Sequence, residues 1–164
     1  LEVKGVSFAY PGCEPTFQNL TFSAKPGDII GITGPVACGK STLGRMFLCE
    51  EPYSGSIRLG NRELSGLTAR EISERIGYLG HDPELWNDTV KANVLCGETA
   101  DPMAALSLTA MDKEVRSMEQ GVNTMVGSSG VRLSGGQAQR LALARTLAHP
   151  RGVAFRQCRL PESL

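Results

Sequence analysis

Gly34-Pro35-Val36-Ala37-Cys38-Gly39-Lys40-Ser41 places two glycines five residues apart and closes on a lysine and a hydroxyl. The run fits G-x-x-x-x-G-K-[ST] without a mismatch. Each letter has a chemical use. Gly34 and Gly39 let the backbone bend so that successive N–H groups converge on an anion. Lys40 is spaced to reach the β- and γ-phosphates of a nucleotide, and the Ser41 hydroxyl, followed by Thr42, is placed to ligate Mg²⁺. A helix starting at this point adds partial positive charge where phosphates would sit. A glycine-rich turn that binds nothing has the same composition, so the flanks matter. An apolar, β-branched run, Ile29-Ile30-Gly31-Ile32-Thr33, precedes the loop, and Leu43, Met46 and Phe47 follow it at helical spacing.

A second run, Leu133-Ser134-Gly135-Gly136-Gln137, lies about a hundred residues further on and opens another helical stretch. Small residues and a serine at a helix start expose unpaired N–H groups beside a hydroxyl, again suited to an anion. On its own the run also reads as an ordinary capped helix. A second phosphate-binding helix start is redundant for one nucleotide on one chain. It acquires a purpose if it serves a nucleotide held by a partner.

The elements that must position these residues follow from periodicity. Residues 1–8 and 17–24 alternate or cluster as strands between Pro/Gly turns, and residues 29–33 read as a strand buried on both faces. Residues 56–60 form a further strand. Thr68 with Glu71 three residues on makes a capping box for a helix to about Arg75, and residues 76–79 return to strand. Between Trp86 and Met118 the pattern is helical, with Met103, Met111 and Met118 reading as helix core and Trp86 as packing between subdomains. Residues 138–147 are strong helix formers stopped by His149-Pro150. The order suits an α/β core with a helical insertion at about residues 86–130.

Composition sets the outer limits. The chain has 164 residues, 41% hydrophobic and 21% charged, which fits one globular domain or most of one. Lys+Arg and Asp+Glu are 17 each, so no basic excess points to nucleic acid. The longest uncharged stretches, 29–39 and 121–131, are eleven residues long and too short to cross a bilayer. The first residue is Leu and no secretory pattern follows it, so the chain reads as a piece of something longer. Five cysteines, odd in number and without zinc-type spacing, point to reduced thiols in a cytosolic compartment. Of these, Cys49 and Cys96 fall in helical surroundings and read as inert core positions.

With both motifs in view, the chain resembles the nucleotide-binding domain of ATP-binding cassette (ABC) transporters, of the exporter-like kind, over about nine-tenths of its length. Residues 34–41 look like that family's Walker A and residues 133–137 like its LSGGQ signature. Arg140-Leu141-Ala142-Leu143-Ala144-Arg145 continues the pattern, and Gly121-Val122-Asn123-Thr124-Met125-Val126-Gly127 resembles the stretch before the signature. The resemblance implies an α/β, P-loop NTPase core of ABC-cassette type, with an N-terminal antiparallel β-subdomain and a helical subdomain. It places residues 1–150 in the nucleotide-binding domain. It implies ATP and Mg²⁺ as cofactors, with Tyr10 stacking on adenine unless it is only a strand-end aromatic. It also implies a transmembrane transporter domain as partner, and a second nucleotide-binding domain in a head-to-tail dimer. The location is then the cytoplasmic face of a membrane.

Three departures from the family stand out. His81 occupies the position of the family's glutamine, which contacts Mg²⁺ and the attacking water. Ser128 follows Val126-Gly127 where an acidic residue is usual. Residues 151–164 form a divergent tail in which Gln157 and Cys158 replace the Walker B Asp and Glu, as if a frame change or truncation had intervened. Arg156 in a buried central strand would be costly, and losing a Walker B strand would leave the chain marginally stable. The leading expectation is therefore an ABC-type ATPase domain impaired in hydrolysis. The alternative is a catalytically degenerate binding or regulatory module that pairs with a competent ATPase domain. A small-molecule P-loop kinase would have no use for residues 133–137, and a non-functional gene remnant is a further reading.

Overall fold

A computed structural model of the chain describes residues 1–128, 130–149 and 151–157. They form two compact units, Leu1–Gly77 and Tyr78–Leu164.

The first unit is built on an antiparallel four-stranded sheet in the order β2-β1-β3-β4, with β1 Glu2–Ala9, β2 Pro15–Ser23, β3 Ser54–Leu59 and β4 Arg62–Glu63. Val3, Val6 and Phe8 of β1 are buried, as is Ile57 of β3, which faces Val3 in register. Helix α1, Lys40–Phe47, follows the glycine-rich loop and buries Leu43, Met46 and Phe47. Helix α2, Ala69–Arg75, starts with the expected box. The Thr68 hydroxyl accepts from the Glu71 N–H, while the Glu71 carboxylate accepts from the Thr68 N–H at 3.0 Å.

One expectation fails in this unit. Residues 29–33 are not a strand, and Ile29 is 98% exposed, with Ile30 and Ile32 exposed as well. A strand buried on both faces also needs hydrogen-bonded neighbours along its edges, and among the described residues no strand pairs with this run. Its apolar side chains are therefore left without a layer to enter.

The second unit contains α3 Val90–Leu95, α4 Pro102–Leu108, α5 Asp112–Ser117 and α6 Gly135–Ala148. They enclose a core that includes Val90, Val94, Leu106, Met111, Val115, Val126 and Leu141, with Met103 and Met118 packed against it. The methionines serve as core, as expected. Strand β6, Asp88–Thr89, pairs with β7, Met125–Val126. Strand β5, Ile76–Leu79, pairs with β8, Val153–Arg156. The rings of Tyr78 and Phe155 stack at 5.6 Å, and the Gln157 N–H donates to the Leu79 carbonyl at 2.9 Å.

Two further readings are corrected here. Arg156 is exposed, so β8 forms without burying a guanidinium. Cys96 is not a core position. It ends α3 in a left-handed conformation (φ 51°) and is exposed. Trp86 is 51% exposed and carries the Arg145 guanidinium 4.7 Å over its ring. Cys158 lies outside the described residues.

Candidate functional site

The loop before α1 is shaped by contact as much as by composition. A side chain at Gly34 would come within 2.7 Å of the Cys38 sulfur. Gly39 adopts φ 93°, and a Cβ there would lie 2.6 Å from a methyl of Thr16 and 3.0 Å from the Phe17 ring. Gly39 is thus required by its left-handed backbone and by the side chains of Thr16 and Phe17, whereas at Gly34 the close neighbour is the Cys38 sulfur, which can turn away. Lys40 folds back over the loop: its ammonium donates to the carbonyls of Gly34 at 2.8 Å and Pro35 at 2.6 Å, and lies 3.6 Å from Cys38 Sγ. Pro35, Val36 and Ala37 are exposed, and Ala37 takes φ 65° at the tip of the turn.

The start of α1 fits an anion. Its N-cap, Gly39, offers no side-chain cap, and no acidic residue stands in the first turn. A helix start carries partial positive charge, and a phosphate seated there would also take up the charge of the neighbouring ammonium. Ser41 and Thr42 sit in that turn. Thr42 is buried, and its hydroxyl hydrogen-bonds the Tyr10 hydroxyl at 3.1 Å. Tyr10 is 41% exposed and lies perpendicular to Phe8 with ring centroids 4.7 Å apart, so part of its ring is accessible to a stacking partner. Among the described residues no group of three His, Cys, Asp or Glu side chains could hold a metal ion. A metal that takes most of its ligands from phosphates and water, with one from the Ser41 hydroxyl, is compatible with that donor set.

In the second unit, Ser134 caps α6. Its hydroxyl accepts from the Gln137 N–H at 3.2 Å, and the Gln137 Oε1 accepts from the Ser134 N–H at 2.8 Å. Ser134, Gly135 and Gly136 are exposed, but the Gln137 side chain is engaged within the chain. Its Nε2 donates to Glu114 Oε2 at 2.9 Å. His81 lies just beyond β5, half-buried, with its carbonyl accepting from Gln139 Nε2 at 3.4 Å. Gln157 accepts from the Tyr78 hydroxyl at 3.3 Å.

A model of the ABC transporter family matches residues 17–155. The chain belongs to the ABC transporter family. An ATP-dependent lipid A-core flippase of Burkholderia orbicola (strain AU 1054) is 37% identical to this cassette over 155 residues, which cover 90% of this chain and 26% of the flippase. ATP-binding cassette sub-family B member 6 of Homo sapiens is 32% identical over 158 residues, covering 93% and 19%. A solved bacterial Atm1-family ABC exporter with ATP bound superposes with a TM-score of 0.83 at 28% identity, covering 94% of this chain and 28% of that one. The chain thus spans about a quarter or less of the length of these relatives. Its fold is the α/β ABC cassette.

Two features of the cassette escape motif reading. Asn93 is fully buried and makes hydrogen bonds at both ends of its amide. Its Oδ1 accepts from the Trp86 N–H and from Arg145, both at 2.8 Å, and its Nδ2 donates to the Trp86 carbonyl at 2.9 Å. Arg145 also donates to the Asn93 carbonyl at 2.7 Å, and burial lowers its pKa. The second is Glu114. Its carboxyl is held below the usual range by hydrogen bonds from Arg140 and then Gln137. No motif marks it, because its partners lie on another helix. Among the described residues no helix is long and apolar enough to cross a membrane.

Proposed function

We propose that this cassette binds Mg²⁺ and ATP through Tyr10, the loop residues Gly34, Pro35, Val36, Ala37, Cys38, Gly39 and Lys40, and the first-turn residues Ser41 and Thr42. The observation that carries this reading is the Lys40 ammonium seated on the loop at a helix start without a side-chain cap. Residues 1–150 then act as one nucleotide-binding domain, with a helical subdomain at about 86–130 and a divergent segment at 151–164. Bound Mg²⁺·ATP supplies a phosphoanhydride whose terminal phosphoryl group can pass to water. The chain's own contributions are to neutralise phosphate charge with Lys40, to offer the Ser41 hydroxyl to the metal, and to hold adenine against Tyr10. His81 is the residue proposed to face the metal and water.

In this reading the domain couples ATP binding and hydrolysis to transport. It does so with a transmembrane partner domain and a second cassette, head to tail, at the cytoplasmic face of a membrane. Ser134, Gly135 and Gly136 serve the nucleotide of that second cassette, with Gln137 holding their turn in place. Hydrolysis is impaired because Gln157 and Cys158 supply no carboxylate. The alternative, a degenerate module lending its signature to a competent partner, is favoured by the complete capping box at Ser134 beside Gln157.

Binding of a fluorescent ATP analogue by the full chain tests the reading. Hydrogen bonds to charged groups contribute about 1.5–3 kcal/mol, so Lys40→Ala should weaken affinity about ten-fold or more. Tyr10→Ala should weaken it less and erode selectivity for adenine. Equal binding with and without Lys40 would refute the phosphate site.

A further inference from the structure

Glu114, on α5, sits beneath the start of α6 and makes contacts that set how that start is presented. Gln137 and Arg140 are three residues apart and so share a face of α6. Both reach the same carboxylate: Gln137 Nε2 donates to Oε2 at 2.9 Å, and Arg140 Nη2 donates to Oε1 at 2.6 Å. Arg140 Nη1 also donates to the Ala110 carbonyl at 2.7 Å, which ties the guanidinium to the turn before α5.

A carboxamide has an accepting end and a donating end of nearly the same shape. An ionised carboxylate can only accept, so Glu114 selects the Nε2 end of Gln137. The Oε1 end is then left for the Ser134 N–H, where it accepts at 2.8 Å. Turned the other way, the amide would set N–H against N–H at Ser134 and oxygen against oxygen at Glu114. The capping box of α6 is therefore keyed by a residue on a different helix. Arg140 has a second effect. It neutralises the carboxylate, so that no uncompensated negative charge stands near a helix start that is to meet phosphate.

We infer that Glu114 is a positioning residue for the signature helix: it fixes the Gln137 amide, and so leaves Ser134, Gly135 and Gly136 exposed in one orientation toward the phosphates of a nucleotide held by another cassette. The inference rests on the proposed function in that last step only. Glu114 itself touches no phosphate in this scheme, and its effect passes through Gln137.

Two measurements on the full chain separate the steps. In amide hydrogen exchange, Glu114→Ala should speed exchange across residues 133–140 about ten-fold, and Glu114→Gln, whose single oxygen cannot accept from both Gln137 Nε2 and Arg140 Nη2, should speed it by a smaller factor. In the second measurement, a fluorescent ATP analogue should bind the chain alone equally well in all three forms. ATP-dependent association with an intact exporter cassette should weaken about ten-fold in Glu114→Ala and by a smaller factor in Glu114→Gln, in step with exchange. Unchanged exchange in Glu114→Ala overturns the inference, as does faster exchange with unaltered association, which would leave Glu114 a structural contact. Failure of the wild type to associate with ATP present overturns the proposed function and the role of Glu114 in it, while exchange still decides the orientation of the amide. If Glu114→Ala does not fold, the wild-type chain decides by NMR. Slowly exchanging Gln137 carboxamide protons support the arrangement, and freely exchanging ones overturn it.

Discussion

Lys40 and Cys38 share a small space, and their chemistry is linked through it. The ammonium lies 3.6 Å from the thiol, and Cys38 also fills the volume that a side chain at Gly34 would need. Any group that seats on the loop and draws Lys40 toward itself changes what surrounds Cys38. A maleimide reagent should therefore label Cys38 in the bare chain and be excluded by Mg²⁺·ATP. Exposed Cys13 should label at the same rate with or without nucleotide. Cys49 should react slowly throughout, because burial and then the nearby Glu63 carboxylate push its thiol up. Labelled peptides read by mass spectrometry give all three rates in one experiment. A Cys38 rate indifferent to ATP, in chain shown to bind it, would remove the thiol from the phosphate site.

At the level of elements, local chemistry was legible and long-range pairing was not. Thr68 with Glu71, and Ser134 with Gln137, are readable as pairs three residues apart, and both fold into capping boxes. Residues 29–33 have the composition of a central strand, yet composition cannot supply the neighbours that such a strand needs. Glu114 was invisible for a related reason: its partners are 23 and 26 residues away, on another helix. The α2 box offers a test. The Thr68 N–H, the Thr68 hydroxyl and Arg62 hold the Glu71 carboxyl below its ordinary value of 4.5. A lowered folded-state pKa means stabilisation that is present above 4.5 and lost as pH falls through the folded value. Thermal melting should therefore show a shallower acid-side decline in Glu71→Gln than in wild type. Thr68→Ala should cost about 1 kcal/mol near neutral pH. Parallel acid limbs in wild type and Glu71→Gln would show that the box contributes nothing through its charge.

For the molecule as a whole, the question is whether the chain turns ATP over or lends its signature to a chain that does. Gln157 follows β8, with its N–H on the Leu79 carbonyl and its side chain accepting from Tyr78. A carboxamide carries no charge with which to anchor a metal, Cys158 supplies no carboxylate to polarise a water, and a general base typically contributes about 10²–10⁴ in rate. Against an enzyme median of about 10 s⁻¹, the chain alone should therefore hydrolyse ATP at about 10⁻¹–10⁻³ s⁻¹ or less. Mixed with a cassette that has its own carboxylate and Walker A, it should stimulate turnover at the partner's site. Ser134→Arg should abolish that stimulation while leaving ATP binding by this chain in place, because Ser134 caps α6 and lies outside the Lys40 loop. Phosphate release, with Lys40→Ala as the control for contaminating ATPase, measures each case. Turnover by the chain alone near the median rate, lost in Lys40→Ala, would sink the impaired reading and point to another base. His81, half-buried just after β5, would be the first to replace, and a rate unchanged in His81→Ala would exclude it.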